Sequence, residues 1–210
     1  MAITNYAELK TAAASWLHRQ DLTANIPDFI TMAEWRMARD LRISQLLATT
    51  NLNVSPGGST VALPSGFLSL VNVSIAGGSE LQYVPPDTID RISGAGVPWI
   101  YTMLGTNIQI APSWTDGGNL STTYFKKETA LSDSNSTNWY ILNAPDTLLY
   151  ATLLEAAPYL LNDNRIDVWD KYYQRGVTAI NAQYGNIDPH KRMMQYADAS
   201  FNGGRVSAGA

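Results

Sequence analysis

The 210-residue chain contains no cysteine. A disulfide scaffold and any thiolate metal site are therefore excluded. Histidine is nearly absent too. His18 and His190 are the only two, and neither stands in an HExxH-type zinc spacing. A lone histidine at a helix end reads as a cap or a surface residue. Charge is scarce: Asp, Glu, Lys and Arg make up 15% of the chain, below the usual quarter. Such a surface is either polar through Ser, Thr and Asn or largely covered by partners. The net charge of −4 argues against a module that grips nucleic acid by neutralising phosphates. No apolar run reaches membrane-spanning length. The start, MAITNYAELK, has no basic region followed by an apolar run, so no signal peptide is expected. A G-x-S-x-G elbow and a Walker loop are both missing.

What is present is a strong helical signal at both ends. The stretch from Asn138 to Gly185 reads as two consecutive helices. The first runs from about Asp146 to Leu161. Leu149, Leu153, Ala156 and Leu160 mark one apolar face, but Leu148, Tyr150, Leu154, Ala157, Tyr159 and Leu161 cover the other sides. A helix apolar all round is buried all round. One side is expected on the chain's own core and the other, including Leu154 and Tyr159, on a neighbouring subunit. Pro158 is expected to break or kink this helix. The second helix is capped by Asp163 and carries the stripe Ile166, Trp169, Tyr173, Val177, Ile180 and Tyr184. Gly185 is expected as a left-handed cap, and Pro189 prevents continuation.

At the other end, residues 5–19 form a helix with Asn5 as N-cap and Glu8 placed as in a capping box. A second helix starts near Pro27 and runs to about Leu47, with Ile26, Phe29, Ile30, Ala33, Met37 and Leu41 as its stripe. Arg36, Arg39 and Arg42 lie off that stripe. They are either a solvated, salt-bridged face or an intersubunit ion-pair surface, with Glu34, Asp40 and other acids as partners.

Between Asn51 and Lys127 the chain turns to Val, Ile, Thr, Ser, Gly and Pro. Gly57-Gly58, Gly77-Gly78 and Gly117-Gly118 read as hairpin tips. Along Leu68, Leu70, Val71, Val73 and Ile75 the alternation shifts phase once, as at a bulge. Residues 86–93 read as a short helical crossing, and 128–137 as a polar return loop. The fold class is therefore α+β. A four-helix bundle is built from N- and C-terminal helical pairs, with an inserted small antiparallel β sandwich or barrel and an extended C-terminal arm. The expected divisions are 1–49, 50–130, 131–187 and 188–210. The arm carries Lys191, Arg192, Met193, Met194, Tyr196 and Phe201, a basic and apolar mixture suited to docking on another protein.

Nothing in the sequence reads as a catalytic site, metal site or cofactor site. Asp87 with Asp90, and Asp163, Asp167 and Asp170, are acidic clusters that helix capping and solvation explain better than a glycosidase pair. Trp99, Tyr101, Trp114, Tyr124, Trp139 and Tyr140 read as core filling, or alternatively as sugar-stacking surfaces of a carbohydrate-binding or hydrolytic tail module.

Two blocks carry a family resemblance. YAELKTAAASWLHRQDLTANIPDFITMAEWRMARDLR resembles the N-terminus of bacteriophage head–tail adaptor proteins, and NWYILNAPDTLLYATLLEAAPYLLNDNRIDVWDKYYQRGVTAIN resembles their C-terminal helical pair. The β insertion resembles adaptors of short-tailed phages. The resemblance implies a structural, non-enzymatic protein of the virion neck, made in the bacterial host cytoplasm. It implies a homo-oligomeric ring, often of twelve copies, between the portal protein and a tail nozzle or tail tube, sometimes with fibres. Genomic DNA would pass through without specific binding, and no membrane is involved. It also implies that the arm docks on the portal.

Overall fold

A computed structural model of the chain describes residues 2–160 and 164–185. The helices are α1 (Tyr6–Leu17), α2 (Ile26–Asp40), α3 (Pro86–Ile89), α4 (Trp139–Asn143), α5 (Pro145–Glu155) and α6 (Ile166–Tyr184). The strands are β1 (Leu47–Val54), β2 (Gly58–Ala62), β3 (Phe67–Ile75), β4 (Gln82–Tyr83), β5 (Ala95–Gly96), β6 (Ile100–Leu104), β7 (Asn107–Trp114) and β8 (Gly118–Lys126). The protein is α+β. Its backbone divides into two compact units, Met1–Gln45 with Glu128–Ala210, and Leu46–Lys127.

The first unit is helical. Asn5 caps α1 by accepting the Glu8 N–H at 3.0 Å. Glu8 does not close a reciprocal box. Its carboxylate accepts from the Thr4 N–H and hydroxyl at 2.7 and 2.8 Å. His18 ends the helix in the left-handed region at φ 52°, so it is indeed a cap. α2 stops at Asp40 rather than near Leu47, because side chains take over its last carbonyls. Arg42 Nη1 donates to the Ala38 and Leu41 carbonyls at 3.2 and 3.1 Å. Asn181, from α6, donates to the Asp40 carbonyl and accepts the Arg42 N–H, both at 3.0 Å.

α5 is the centre of this unit. It lies against α1, α2, α4 and α6, and Thr147, Leu148, Leu149, Ala151, Thr152, Leu153 and Leu154 are all buried. One chain thus encloses nearly the whole circumference, so the helix's all-round apolar character does not by itself require a neighbour. Pro158 acts as expected: the helix gives way to a 3-10 turn at Ala157–Tyr159, since proline has no N–H for the Leu154 carbonyl. α4 was not legible as a separate helix. Asn138 caps it, accepting the Ile141 N–H at 3.2 Å. α6 buries Trp169, Tyr173, Val177 and Ile180, the expected stripe. Gly185 is not left-handed; its φ is −85°, and its N–H reaches the Asn181 carbonyl at 2.7 Å. Asp163 and the arm from residue 188 onward lie outside the described residues.

The second unit holds two sheets facing one apolar core. One has the order β1-β8-β3 and the other β2-β7-β6-β4, with β5 also pairing β7. Val54, Val73 and Leu120 from the first sheet meet Tyr101, Ile108, Ile110 and Trp114 from the second. β3 shifts register between Leu70 and Asn72, where the sequence changes phase. The pairing is not wholly antiparallel: β4 runs parallel to β6 and β5 parallel to β7. After α3 the chain re-enters as β5, antiparallel to β4, and turns once more before β6, so β6 ends up parallel to β4. Ile89, Ile100 and Ala111 form a small second core there. Of the three Gly pairs among the described residues, Gly77-Gly78 marks a hairpin tip, next to the Ser74↔Glu80 bridge. Gly57-Gly58 and Gly117-Gly118 carry the chain between sheets instead, since β1 and β2, and β7 and β8, belong to different ones. At Gly117, with φ +66°, a Cβ would stand 2.7 Å from the Val54 carbonyl oxygen, so the crossing needs glycine.

Candidate interaction surfaces

The polar contacts inside the helical unit decide which surfaces are left for partners. Glu34 is the most buried charged residue among those described, with 2% of its surface exposed. Its carboxylate accepts the Leu131 N–H at 3.0 Å and the Asn138 Nδ2 at 2.6 Å. Asn138 in turn donates to the Thr129 carbonyl at 3.2 Å. The return loop is therefore clamped onto α2, and Ser136 adds a carbonyl for the Tyr6 N–H at 2.8 Å. Sequence reasoning offered Glu34 to the arginines instead. The signal was its spacing: it falls four residues after Ile30 and three before Met37, on the buried stripe, where a carboxylate must find donors.

Each arginine of α2 has its own situation. Arg36 Nε binds Glu155 at 2.6 Å, and its guanidinium lies 5.8 Å over the Tyr173 ring. Asp40 accepts the Tyr173 hydroxyl. Arg42 holds the end of its own helix. Arg39 is exposed. Leu154 is 8% exposed and lies inside its own chain, so a charge placed there is expected to act on folding first. Tyr159 is 48% exposed, with its ring 5.2 Å from Phe29.

Among the described residues, several large apolar side chains are exposed on this unit. One group joins α1, α5 and α6. Trp16 meets Tyr150 edge-on at 5.8 Å, and Tyr150 stacks on Tyr172 at 5.2 Å. Val168, one turn before Tyr172, is 50% exposed. Arg165 Nη1 donates to the Trp16 carbonyl at 2.9 Å and fixes the end of α1 to α6. Met32 and Trp35 on α2 are also close to half exposed, as is Tyr159, which lies against Phe29. Tyr150 and Glu155, which binds α2 through Arg36, are five residues apart, about 140° around α5. Met32 and Trp35 lie on the far side of α2, away from its buried stripe.

In the sandwich, Tyr101, Trp114 and Tyr124 are buried in the core, while Trp99 is 54% exposed. Trp139 and Tyr140 belong to the helical unit, where Trp139 meets Tyr184 edge-on at 6.0 Å. No group of acidic or imidazole side chains among the described residues is arranged to hold a metal ion. Among the same residues no helix is long and apolar enough to cross a membrane.

Burial shapes the titration of the phenols. It raises Tyr140 and Tyr173 well above the ordinary value of 10.0 and pushes Tyr101 to about 12. A phenol that holds its proton more tightly when folded stabilises the fold at neutral pH. That contribution is lost as pH rises past 10, because the unfolded chain ionises first. The Tyr140 hydroxyl is buried with no hydrogen-bond partner. Tyr140→Phe is expected to be neutral or stabilising by up to about 1 kcal/mol at pH 7. It should also flatten the fall in denaturant midpoint between pH 10 and 11.5, a range checked by urea titrations. A steeper fall in the variant contradicts this account.

The family model described as SU10 adaptor protein matches residues 4–196 of the chain. No curated protein matches it.

Proposed function

Since the chain belongs to the SU10 adaptor protein family, a phage adaptor family of the virion neck, we propose that it forms a homo-oligomeric ring beneath the portal. The ring joins the portal to a tail nozzle or tail tube and lets genomic DNA pass. The ring has about twelve copies, a number that rests on the resemblance alone, as does the short-tailed subtype. The helical unit acts as a four-helix bundle of α1, α2, α5 and α6 that builds the ring wall. The sandwich is a separate domain that serves contacts with tail components or fibres. Residues 188–210 form the arm that docks on the portal through Lys191, Arg192, Met193, Met194, Tyr196 and Phe201. Its role is structural, not catalytic.

What supports the ring is the family match, together with exposed apolar surface at Trp16, Val168 and Tyr172 and, on another helix, at Met32 and Trp35. A subunit that contacts two neighbours in a cycle uses two different surfaces. The exposed Tyr159, Arg39 and Arg42 and the partly exposed Arg36 are assigned to the contact between subunits, and Leu154 supports it from the core. Mixing the purified chain with portal particles and imaging them should give a ring on the portal. Particles that stay bare after prolonged mixing overturn the reading.

A carbohydrate-binding sandwich is the weaker alternative, because three of its four candidate aromatics are core residues. A passive conduit also predicts weak contact with DNA. At about 150 mM salt, duplex DNA should show no retardation with the chain up to micromolar concentration. Tight, salt-resistant binding contradicts a conduit.

A further inference from the structure

We infer that β1 is a docking strand: its open edge takes an extended, uncharged segment of a tail component as an added strand of the sandwich. The inference deepens the reading that the sandwich serves contacts with tail components or fibres, and it rests on that reading.

The open ladder follows from the pairing. β1 is the end strand of its sheet and pairs with β8 from Leu47↔Phe125 to Val54↔Gly118 without a register shift. The Asn119 carbonyl accepts the Ala76 N–H, just past β3, at 2.9 Å. Asn119 therefore turns its backbone groups toward β3, and its pair with Asn53 is a non-hydrogen-bonded one. Side chains approach more closely in such pairs. Asn53 Nδ2 donates to Asn119 Oδ1 at 3.2 Å, and the Thr49 and Thr123 hydroxyls meet at 3.1 Å. With a period of two, Thr49, Asn51 and Asn53 all turn their N–H and C=O groups away from β8, to the open side. No backbone hydrogen bond from outside the strand ladders reaches them among the described residues. All three residues are exposed.

Proteins blunt open edges with short strands, charge, proline or bulges. The other end strands follow that rule. β2 shifts register between Gly58 and Thr60, and β3 shifts twice. The last part of β3 is also covered by its own hairpin, where the Leu81 N–H reaches the Val73 carbonyl at 2.8 Å. β4 has two residues. β1 has eight, LATTNLNV, with no charge, proline or bulge. Left bare, such an edge is an aggregation site, so it reads as kept for a partner.

The edge also specifies what fits. Donors and acceptors at every second residue, roughly 6.8 Å apart, match an extended backbone. On the core side Leu52, with Val61 and Leu63 in and after β2, is only partly buried against the sandwich core. On the opposite side stand Thr49, Asn51 and Asn53. The occupant is thus a strand in which apolar residues alternate with Ser, Thr or Asn. β1 of a second copy has such a sequence, but pairing β1 with β1 relates two copies by a two-fold axis. A ring about a single axis contains none between neighbours.

Asn51→Pro is the central variant. The N–H it removes points away from β8, so the fold is kept while an added strand loses a ladder bond. Parent and variant full chains are mixed with purified tail particles of the same phage, and amide exchange is followed residue by residue. In the free parent, Thr49, Asn51 and Asn53 should exchange quickly while Thr50 and Leu52 are protected. On tail particles the first three should slow at least about tenfold, and Asn51→Pro should bind at least about tenfold more weakly. Equal protection along β1 in the dilute free chain overturns the open ladder. Tail particles that bind while the three amides exchange as in the free chain, or that bind a folded Asn51→Pro chain undiminished, overturn the inference and leave the reading intact. If Asn51→Pro does not fold, the exchange in the parent chain decides alone. Slowing of the three amides in the concentrated chain by itself, with dimers in sedimentation, shows a second copy on the edge and overturns the inference. If no tail particle binds the parent chain, the reading of the sandwich fails and the inference falls with it.

Discussion

Glu34→Ala is expected to be the most damaging single substitution in the helical unit, at about 3–4 kcal/mol. The Leu131 N–H and both contacts of the Asn138 side-chain amide depend on a network with this carboxylate as its central acceptor. Truncation leaves two buried donors without an acceptor, each costing about 1–3 kcal/mol. It also removes packing on a buried stripe. For a unit of this size that corresponds to a fall in Tm of roughly 10 °C. Glu34→Gln keeps one carbonyl acceptor but turns an amide NH2 toward other donors, so its effect should be intermediate. Thermal melts and amide exchange at Leu131 check both claims. If Glu34→Ala melts within a degree of the parent chain, the clamp contributes nothing and the return loop is held elsewhere.

Gly176→Ala is the second large effect. Alanine normally favours a helix interior over glycine by about 1 kcal/mol. Here a Cβ would overlap the Thr147 hydroxyl oxygen and approach its Cγ2 to 3.1 Å. Thr147 is buried on α5, so it cannot swing into solvent. The substitution should destabilise by about 2 kcal/mol despite the helix gain. Thr147→Ala removes both offending atoms and leaves only its Cβ, at 3.2 Å. The double variant Gly176→Ala with Thr147→Ala should therefore regain most of the loss, a coupling of about 1–2 kcal/mol in a double-mutant cycle. Simple additivity of the two single effects excludes a close α5–α6 approach at this point.

The helices were legible because their stripes repeat at helical spacing, and a stripe records which side is buried. Trp169, Tyr173, Val177 and Ile180 are buried as the spacing predicts. Pro158 and Asn5 act through their own backbone chemistry, so they too could be read directly. The end of α2 could not. It is set by Asn181, more than a hundred residues away, and no local signal contains that contact. The Gly pairs misled for a related reason. Positive φ marks a reversal, but whether the reversed chain pairs with itself or with another sheet depends on distant strands. Tyr159 is half exposed and Leu154 is core, yet both are apolar positions of the same helical run in the sequence. The Trp16–Tyr150–Tyr172 row combines three helices and has no trace in any one of them.

The register of β1 on β8 also bears on how the chain reaches its fold. Leu47 pairs with Phe125, so the sandwich begins and ends on adjacent strands. Were this segment unstructured, joining the two halves of the helical unit would mean closing a loop of about 80 residues, at an entropic cost of roughly 4 kcal/mol. Once the sandwich has folded, its ends are held a strand's width apart and that cost has been met inside the sandwich. The insertion then behaves like a short turn between α2 and the return loop. It can be completed during synthesis, before α5 and α6 exist, and the second half of the helical unit arrives beside the first. Any other insert with neighbouring ends would serve the same kinetic purpose, whatever its surface. This leaves the outer face of the sandwich free to change without disturbing the assembly of the helices.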